Sequence, residues 1–222
     1  MNYQRLVGPI EESVRRHGAT PQGVWNTQAD SNSKCIKRFE VMCEPFPKTG
    51  SIDLLDVGCG PALMLDYLEA QGWLDRLNYY GVDISPLMIG HARQRWPNWR
   101  FDVRDIIRDP LTTSFDYAVL SGTFTSKCSV PYDEMEDFVK RLLIAAWNAT
   151  KCCLCFNVMS SHVDWQRDDL FHWPMDSASE FCRRALSRHI VIRADYGLYE
   201  YTVQVYREAR GGGSSVPVRW RS

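Results

Sequence analysis

No stretch of this 222-residue chain stays apolar for the roughly 20 residues that a bilayer-crossing helix needs. Its opening, Met1-Asn2-Tyr3-Gln4-Arg5, has no apolar core of a secretory signal. A cytoplasmic protein is therefore expected. Charge of one sign is also scarce. Lys and Arg total 26 against 27 Asp and Glu, a net charge of −1 with no long basic run, so the electrostatic footprint of a nucleic-acid binder is missing. The eight cysteines include a Cys152-Cys153-x-Cys155 cluster, but no second CxxC pair completes a metal site. On a strand, Cys152 would face away from Cys153 and Cys155, and reduced, buried thiols are expected.

What is present suits one compact α/β enzyme. A hydrophobic content of 45% over this length buries a sizeable core without metal or disulfide. Leu54-Leu55-Asp56-Val57 reads as a buried strand running into the turn Gly58-Cys59-Gly60-Pro61-Ala62, with a helix from 61 to about 71. Tyr80-Gly81-Val82-Asp83 reads as the end of a second strand over 78–83, and Ser85-Pro86 as an N-cap and first helical residue. Strands are further predicted at 99–103, 115–120 and 152–158, with a long amphipathic helix over 131–150. Such alternation implies a parallel sheet whose strand ends line one ligand-binding edge.

The remaining segments are read by their punctuation. Residues 5–17 look helical, and the polar run 27–33 caps a helix through 43. After a helix near 177–186, the strands 189–195 and 198–206 flank Tyr196-Gly197 as an antiparallel hairpin. The Gly/Ser-rich tail is read as flexible. The expected division is an N-terminal helical lid segment over 1–48, a cofactor-binding domain over 49–208 and a tail over 209–222.

Residue chemistry at the strand ends narrows the ligand. Gly58 and Gly60 let a ligand lie against the main chain of the turn, and Asp83 is placed to accept from both hydroxyls of a ribose. Asp56 would repel phosphates yet suits a cationic amino-acid group, and the turn lacks the third glycine that a dinucleotide pyrophosphate loop uses.

Asp56-Val57-Gly58-Cys59-Gly60-Pro61-Ala62 resembles the glycine motif of class I S-adenosylmethionine-dependent methyltransferases, with alanine in its last glycine position. Asp83 and the neighbouring Ile84 match that family's ribose station, and Asp105-Ile106 its adenine station. The resemblance covers about residues 50–207. It implies a Rossmann-like, doubly wound, mostly parallel seven-stranded sheet ending in an antiparallel hairpin, and S-adenosylmethionine as cofactor, with Ser121 beside it. Gly23-Val24-Trp25 and Arg38-Phe39 are similar to the N-terminal segment of small-molecule methyltransferases that covers cofactor and acceptor, which makes Trp25, Ser31 and Arg38 candidate lid residues; a plain helix pair packed on the sheet is the alternative reading.

The acceptor is expected beyond the fourth and fifth strands, among Ser121-Gly122-Thr123-Phe124, the residues after 158 and the lid. Phe124, Trp165 and Tyr196 are candidate walls, and His162 is the candidate general base as well as a substrate contact. An exposed, purely structural His162 is the alternative. A small metabolite is favoured over protein or RNA, and metal-independent transfer is expected. Two competing functions remain: a non-catalytic cofactor- or partner-binding protein of the same fold, and a NAD-dependent oxidoreductase, which would want a wider glycine spacing. Oligomeric state and the acceptor atom are not legible.

Overall fold

The computed structural model describes residues 2–25 and 31–210. Helices α1 (Gln4–His17), α2 (Pro21–Trp25) and α3 (Ser31–Cys43) precede β1 (Ile52–Val57). Then follow α4 (Leu63–Ala70), β2 (Leu77–Asp83), α5 (Pro86–Arg95), β3 (Arg100–Val103), β4 (Phe115–Leu120), α6 (Tyr132–Asn148), β5 (Thr150–Ser160), β6 (His172–Trp173), α7 (Met175–Ala185), β7 (His189–Arg193) and β8 (Glu200–Tyr206). The strands form one sheet in the order β3-β2-β1-β4-β5-β8-β7. All neighbours are parallel except β5 with β8 and β8 with β7.

Both faces of this sheet are covered, so its central strands are apolar runs rather than alternating ones. Leu55, Tyr80, Leu154 and Phe156 face one core with α6 residues such as Val139 and Leu143. Leu54, Tyr79, Cys153 and Cys155 face the other with Phe39, Met42 and Leu65 from α3 and α4. The cysteines divide as strand alternation requires: Cys153 and Cys155 are buried with sulfurs 3.8 Å apart, whereas Cys152 is exposed. Among the described residues no group of three or more His, Cys, Asp or Glu converges as a metal site.

The strand order reverses direction between β1 and β4, and this is the edge at which α/β sheets bind ligands. Helix α5 starts as its sequence demands, with Ser85 Oγ accepting from Met88 N at 3.2 Å and Pro86 in the first helical position.

Four details differ from the sequence reading. The expected seven strands gain an eighth, β6, which pairs for two residues with the end of β5. Strand β5 runs on to Ser160, so Ser160 lies on it rather than after it. Helix α4 begins at Leu63, because Pro61 and Ala62 complete the turn and Ala62 is left-handed (φ 62°, ψ 42°). Helix α2, a single short turn region, has too little periodicity to be seen in sequence. The expected cap at 27–30 and the tail beyond 210 lie outside the described residues.

Candidate active site

The glycine turn hangs on the end of β2. Gly58 and Cys59 donate backbone N–H groups to Val82 O at 2.8 and 3.1 Å, and Gly60 N donates to Asp83 Oδ2 at 3.0 Å. Asp83 Oδ1 accepts from Ser85 N at 2.8 Å, so one carboxylate ties the β1–α4 turn to the cap of α5. Burial raises the Asp83 pKa, opposed by the hydrogen bonds from Ser85 and Gly60 and reinforced by nearby Glu11. Each Asp83 oxygen keeps a lone pair for a ligand hydroxyl. Gly60, at φ 55°, has open space where a Cβ would stand, so the turn presents bare backbone to the cleft.

Above this floor lies a cleft of about 960 Å³, counting its open mouth. Asp83, Ile84, Asp105 and Ile106 line one end; Ser121, Gly122 and Thr123 line the other. A second cavity of about 300 Å³ continues from it toward Asp56, Cys59, Pro61 and Met64. The two share Val24, Trp25, Gly58, Gly60 and Ser121. An elongated ligand can therefore run from Asp105 across the glycine turn to Asp56.

The far end is chemically distinct. Asp56 is only 2% exposed and accepts from the Tyr79 hydroxyl at 2.7 Å. Burial pushes its pKa up to about 7, with the Tyr79 hydrogen bond opposing and the Asp83 charge adding. A ligand cation there would restore the ionised form and gain a charge-assisted partner.

The N-terminal helices supply the roof. Tyr3 just before α1, Leu6, Val7 and Ile10 of α1, and Val24 and Trp25 of α2 line the cleft. Glu11 Oε1 accepts from Ser85 Oγ at 2.5 Å, which fixes α1 over the Asp83 end of the cleft. Burial and adjacent Asp105 raise the Tyr3 phenol pKa, and Arg108 stands 3.4 Å from Asp105 Oδ2. Sequence reading missed these α1 residues. Their signal was the apolar stripe Leu6, Val7 and Ile10, which is equally the pattern of a helix packed on a core.

Behind the roof runs a buried polar chain. Arg38 Nε and Nη2 donate to Glu200 Oε1 and Oε2 at 2.7 and 2.8 Å. Asn157 Nδ2 donates to Glu200 Oε2 at 2.8 Å, and Asn157 Oδ1 accepts from Gly122 N at 2.7 Å. Burial disfavours the Arg38 charge, but the charge and hydrogen bonds of Glu200 outweigh it and hold the guanidinium pKa above its ordinary value. The guanidinium carbon lies 4.7 Å from the Trp25 ring centroid. Gly122, at φ 73°, is where the chain passes the indole: a Cβ there would stand 2.2 Å from Trp25 Nε1. Glu200 was legible only as a lone charge in the apolar strand Tyr201-Thr202-Val203, and nothing in sequence pairs it with Arg38.

Of the sequence candidates, Asp83, Ile84, Asp105, Ile106, Gly58, Gly60, Ser121 and Trp25 line the large cleft, and Asp56 the smaller cavity. Arg38 stands behind Trp25. Tyr196 bonds to Thr202 Oγ1 at 3.0 Å beside Glu200, and burial raises its pKa strongly. Three candidates are placed elsewhere. Phe124 is fully buried in the core, edge-on to Phe156. His162 is exposed in the loop after β5. Trp165, 49% exposed, packs on Tyr199 at 5.8 Å outside both cavities. The side chain of Ser31 is not described.

A mostly parallel sheet with this strand order, a bare glycine turn, a carboxylate at the end of β2 and a buried acid at the end of β1 together make a candidate S-adenosylmethionine site of the methyltransferase type. The comparisons agree. The family described as "Methyltransferase domain" matches residues 55–144. Rv1506c of Mycobacterium tuberculosis, provisionally named a methyltransferase, is 32% identical over 152 residues, spanning 68% of this chain and 90% of that protein. The magnesium protoporphyrin IX methyltransferase of Synechocystis PCC 6803 with bound S-adenosylhomocysteine shares the fold at TM-score 0.62 and 13% identity, over 93% of this chain and 97% of that one. The sugar N-methyltransferase KedS8 of Streptoalloteichus sp ATCC 53650 does so at 0.56 and 16%, over 81% and 89%. The chain belongs to the S-adenosylmethionine-dependent methyltransferases.

Proposed function

We propose that the protein methylates a small metabolite in the cytoplasm, with residues 1–48 as a lid over the catalytic domain. The observation that carries this reading is the roof: α1 and α2 cover the cleft from Tyr3 to Trp25, which leaves a confined acceptor space beside Ser121 rather than an open face for a macromolecule. The balanced charge of the chain supports it. No helix among the described residues is long and apolar enough to cross a membrane.

When bound, S-adenosylmethionine supplies an electrophilic methyl group on a sulfonium. In our reading Asp83 holds the ribose hydroxyls, Ile84 and Ile106 sandwich the adenine, Asp105 binds its exocyclic edge and Asp56 holds the ammonium. Gly58, Gly60 and Ser121 would lie beside the sulfur, and Trp25 would wall the acceptor, with Arg38 behind the indole and Tyr196 beside Glu200. Alignment provides most of the acceleration for in-line displacement, and the apolar roof excludes water from it. His162, Trp165 and Phe124 have no part in this reading, because none of them reaches the cleft.

Labelled cofactor incubated with fractionated cell extract tests the proposal. Label should enter the dialysable, low-mass fraction. Label in the protein or RNA fraction alone would refute it.

A further inference from the structure

Two buried donors beside Trp25 have no partner among the described residues: Arg38 Nη1 and Ser121 Oγ. An unpaired buried donor costs about 1–3 kcal/mol, and more when charged, so each calls for a reason. Arg38 is 8% exposed, and its Nε and Nη2 edge is committed to Glu200, leaving the Nη1 edge free. Ser121 lies at the end of β4 and lines both cavities. The Trp25 indole stands between them, over the guanidinium on one side and against Gly122 on the other.

The cleft offers little to deprotonate an acceptor. Beside Ser121 the large cleft is lined by Trp25, Gly122, Thr123, Thr125 and Ser126, none of which titrates near neutral pH, and Asp56 of the smaller cavity is committed in our reading to the ligand's ammonium. His172 is held on both ring nitrogens, Nδ1 by Ser160 O at 2.7 Å and Nε2 by Arg167 N at 3.3 Å. His162 is exposed outside the cleft. An acceptor that arrives ionised needs no base.

We propose that the acceptor is a carboxylic acid, with one carboxylate oxygen held by Arg38 Nη1 and the other turned toward the transferable methyl group beside Ser121. This deepens the small-molecule reading and rests on it. The Trp25 indole lies over the guanidinium and Nη1 is buried, so the acceptor reaches Nη1 by moving the indole off Gly122. The attacking oxygen uses a lone pair to form the C–O bond as the methyl–sulfur bond breaks, whose electrons stay on sulfur. An anion and a cation become a neutral methyl ester and a neutral thioether, and no proton moves. Charge neutralisation of this kind is favoured by a dry, apolar cleft. Pairing with Glu200 keeps Arg38 from holding the anion too firmly to react.

Binding to the complex with S-adenosylhomocysteine tests the idea without turnover. The probes are benzoate, cinnamate, indole-3-acetate and octanoate, each against its own amide. At least one acid should bind about tenfold or more tighter than its amide, the scale of a charge-assisted hydrogen bond. In the double variant Arg38→Gln, Glu200→Gln, which removes both charges together and so leaves neither buried without a counter-ion, that preference should vanish. Equal binding of acid and amide, binding of none of the acids, or a preference that survives the double variant would overturn the proposal. Binding of S-adenosylhomocysteine is measured first in both proteins; its failure in the wild type would strike the methyltransferase reading instead. With labelled cofactor, a preferred acid should yield product that releases volatile label in alkali, as an ester does, and alkali-stable label would contradict carboxyl transfer.

Discussion

Replacing Asp56 with Asn should make the protein more stable at neutral and alkaline pH while weakening its hold on the cofactor. Burial pushes the Asp56 pKa up to about 7 from an ordinary 3.8. Across that window the folded state keeps a proton that the unfolded chain has released, so this group's stabilisation is complete below pH 3.8 and is lost as pH rises through about 7. The full span corresponds to about 4 kcal/mol, of which about 2–3 kcal/mol falls between pH 5 and 8. Asn cannot titrate, and its Oδ1 still accepts from Tyr79. Urea unfolding of both proteins at pH 5, 6, 7 and 8 should show the wild type losing stability with a steeper slope than the variant. Asp83, raised in the same direction, remains in both and gives each a residual slope. Affinity for S-adenosylhomocysteine should rise with pH through 7 in the wild type, as the carboxylate becomes available to the ammonium, and stay flat and weaker in Asp56→Asn. Parallel unfolding profiles, or equal affinity at pH 8, would refute the reasoning.

Four further outcomes are expected. Asp83→Ala should weaken S-adenosylhomocysteine about 10- to 100-fold by calorimetry, through loss of two charge-assisted hydrogen bonds; unchanged affinity would remove the ribose assignment. Arg38→Met should cost about 3–5 kcal/mol in urea unfolding because it leaves Glu200 charged and buried without its counter-ion, and adding Glu200→Gln should recover most of the loss. Gly122→Ala, which forces a Cβ against Trp25 at a positive φ, should lower the melting temperature and the cofactor affinity together; a variant with neither change would show that the indole is not held there. Ala62→Gly should be close to neutral, since relief of a left-handed alanine, about 1 kcal/mol, is offset by the lost burial of a methyl, about 0.8 kcal/mol.

The order of elements and the strand-end positions of the candidate cofactor residues were readable because each depends on local chain chemistry. Asp56 to Ala62, Asp83 and Asp105 stand at strand ends, and a strand end can be located from an apolar run and a turn. Ser85-Pro86 fixed a helix start by its own side-chain chemistry. The acceptor side was harder because it is assembled across the chain. Arg38 and Glu200 are 162 residues apart in sequence, and Asn157 and Gly122 are 35 apart. No periodicity links them. Phe124 and Trp165 illustrate the converse error: aromatic residues after a strand read alike whether they turn into the core, as Phe124 does, or onto an outer loop, as Trp165 does. His162 looked suited to base catalysis by residue type alone, and the course of its loop decided its position.

In our reading the glycine turn and its carboxylates bind S-adenosylmethionine. Calorimetric titration of the protein with S-adenosylhomocysteine, with NAD in a parallel cell, tests it most directly. Saturable binding of S-adenosylhomocysteine and none of NAD is the predicted result; binding of NAD alone, or of neither, would contradict the account.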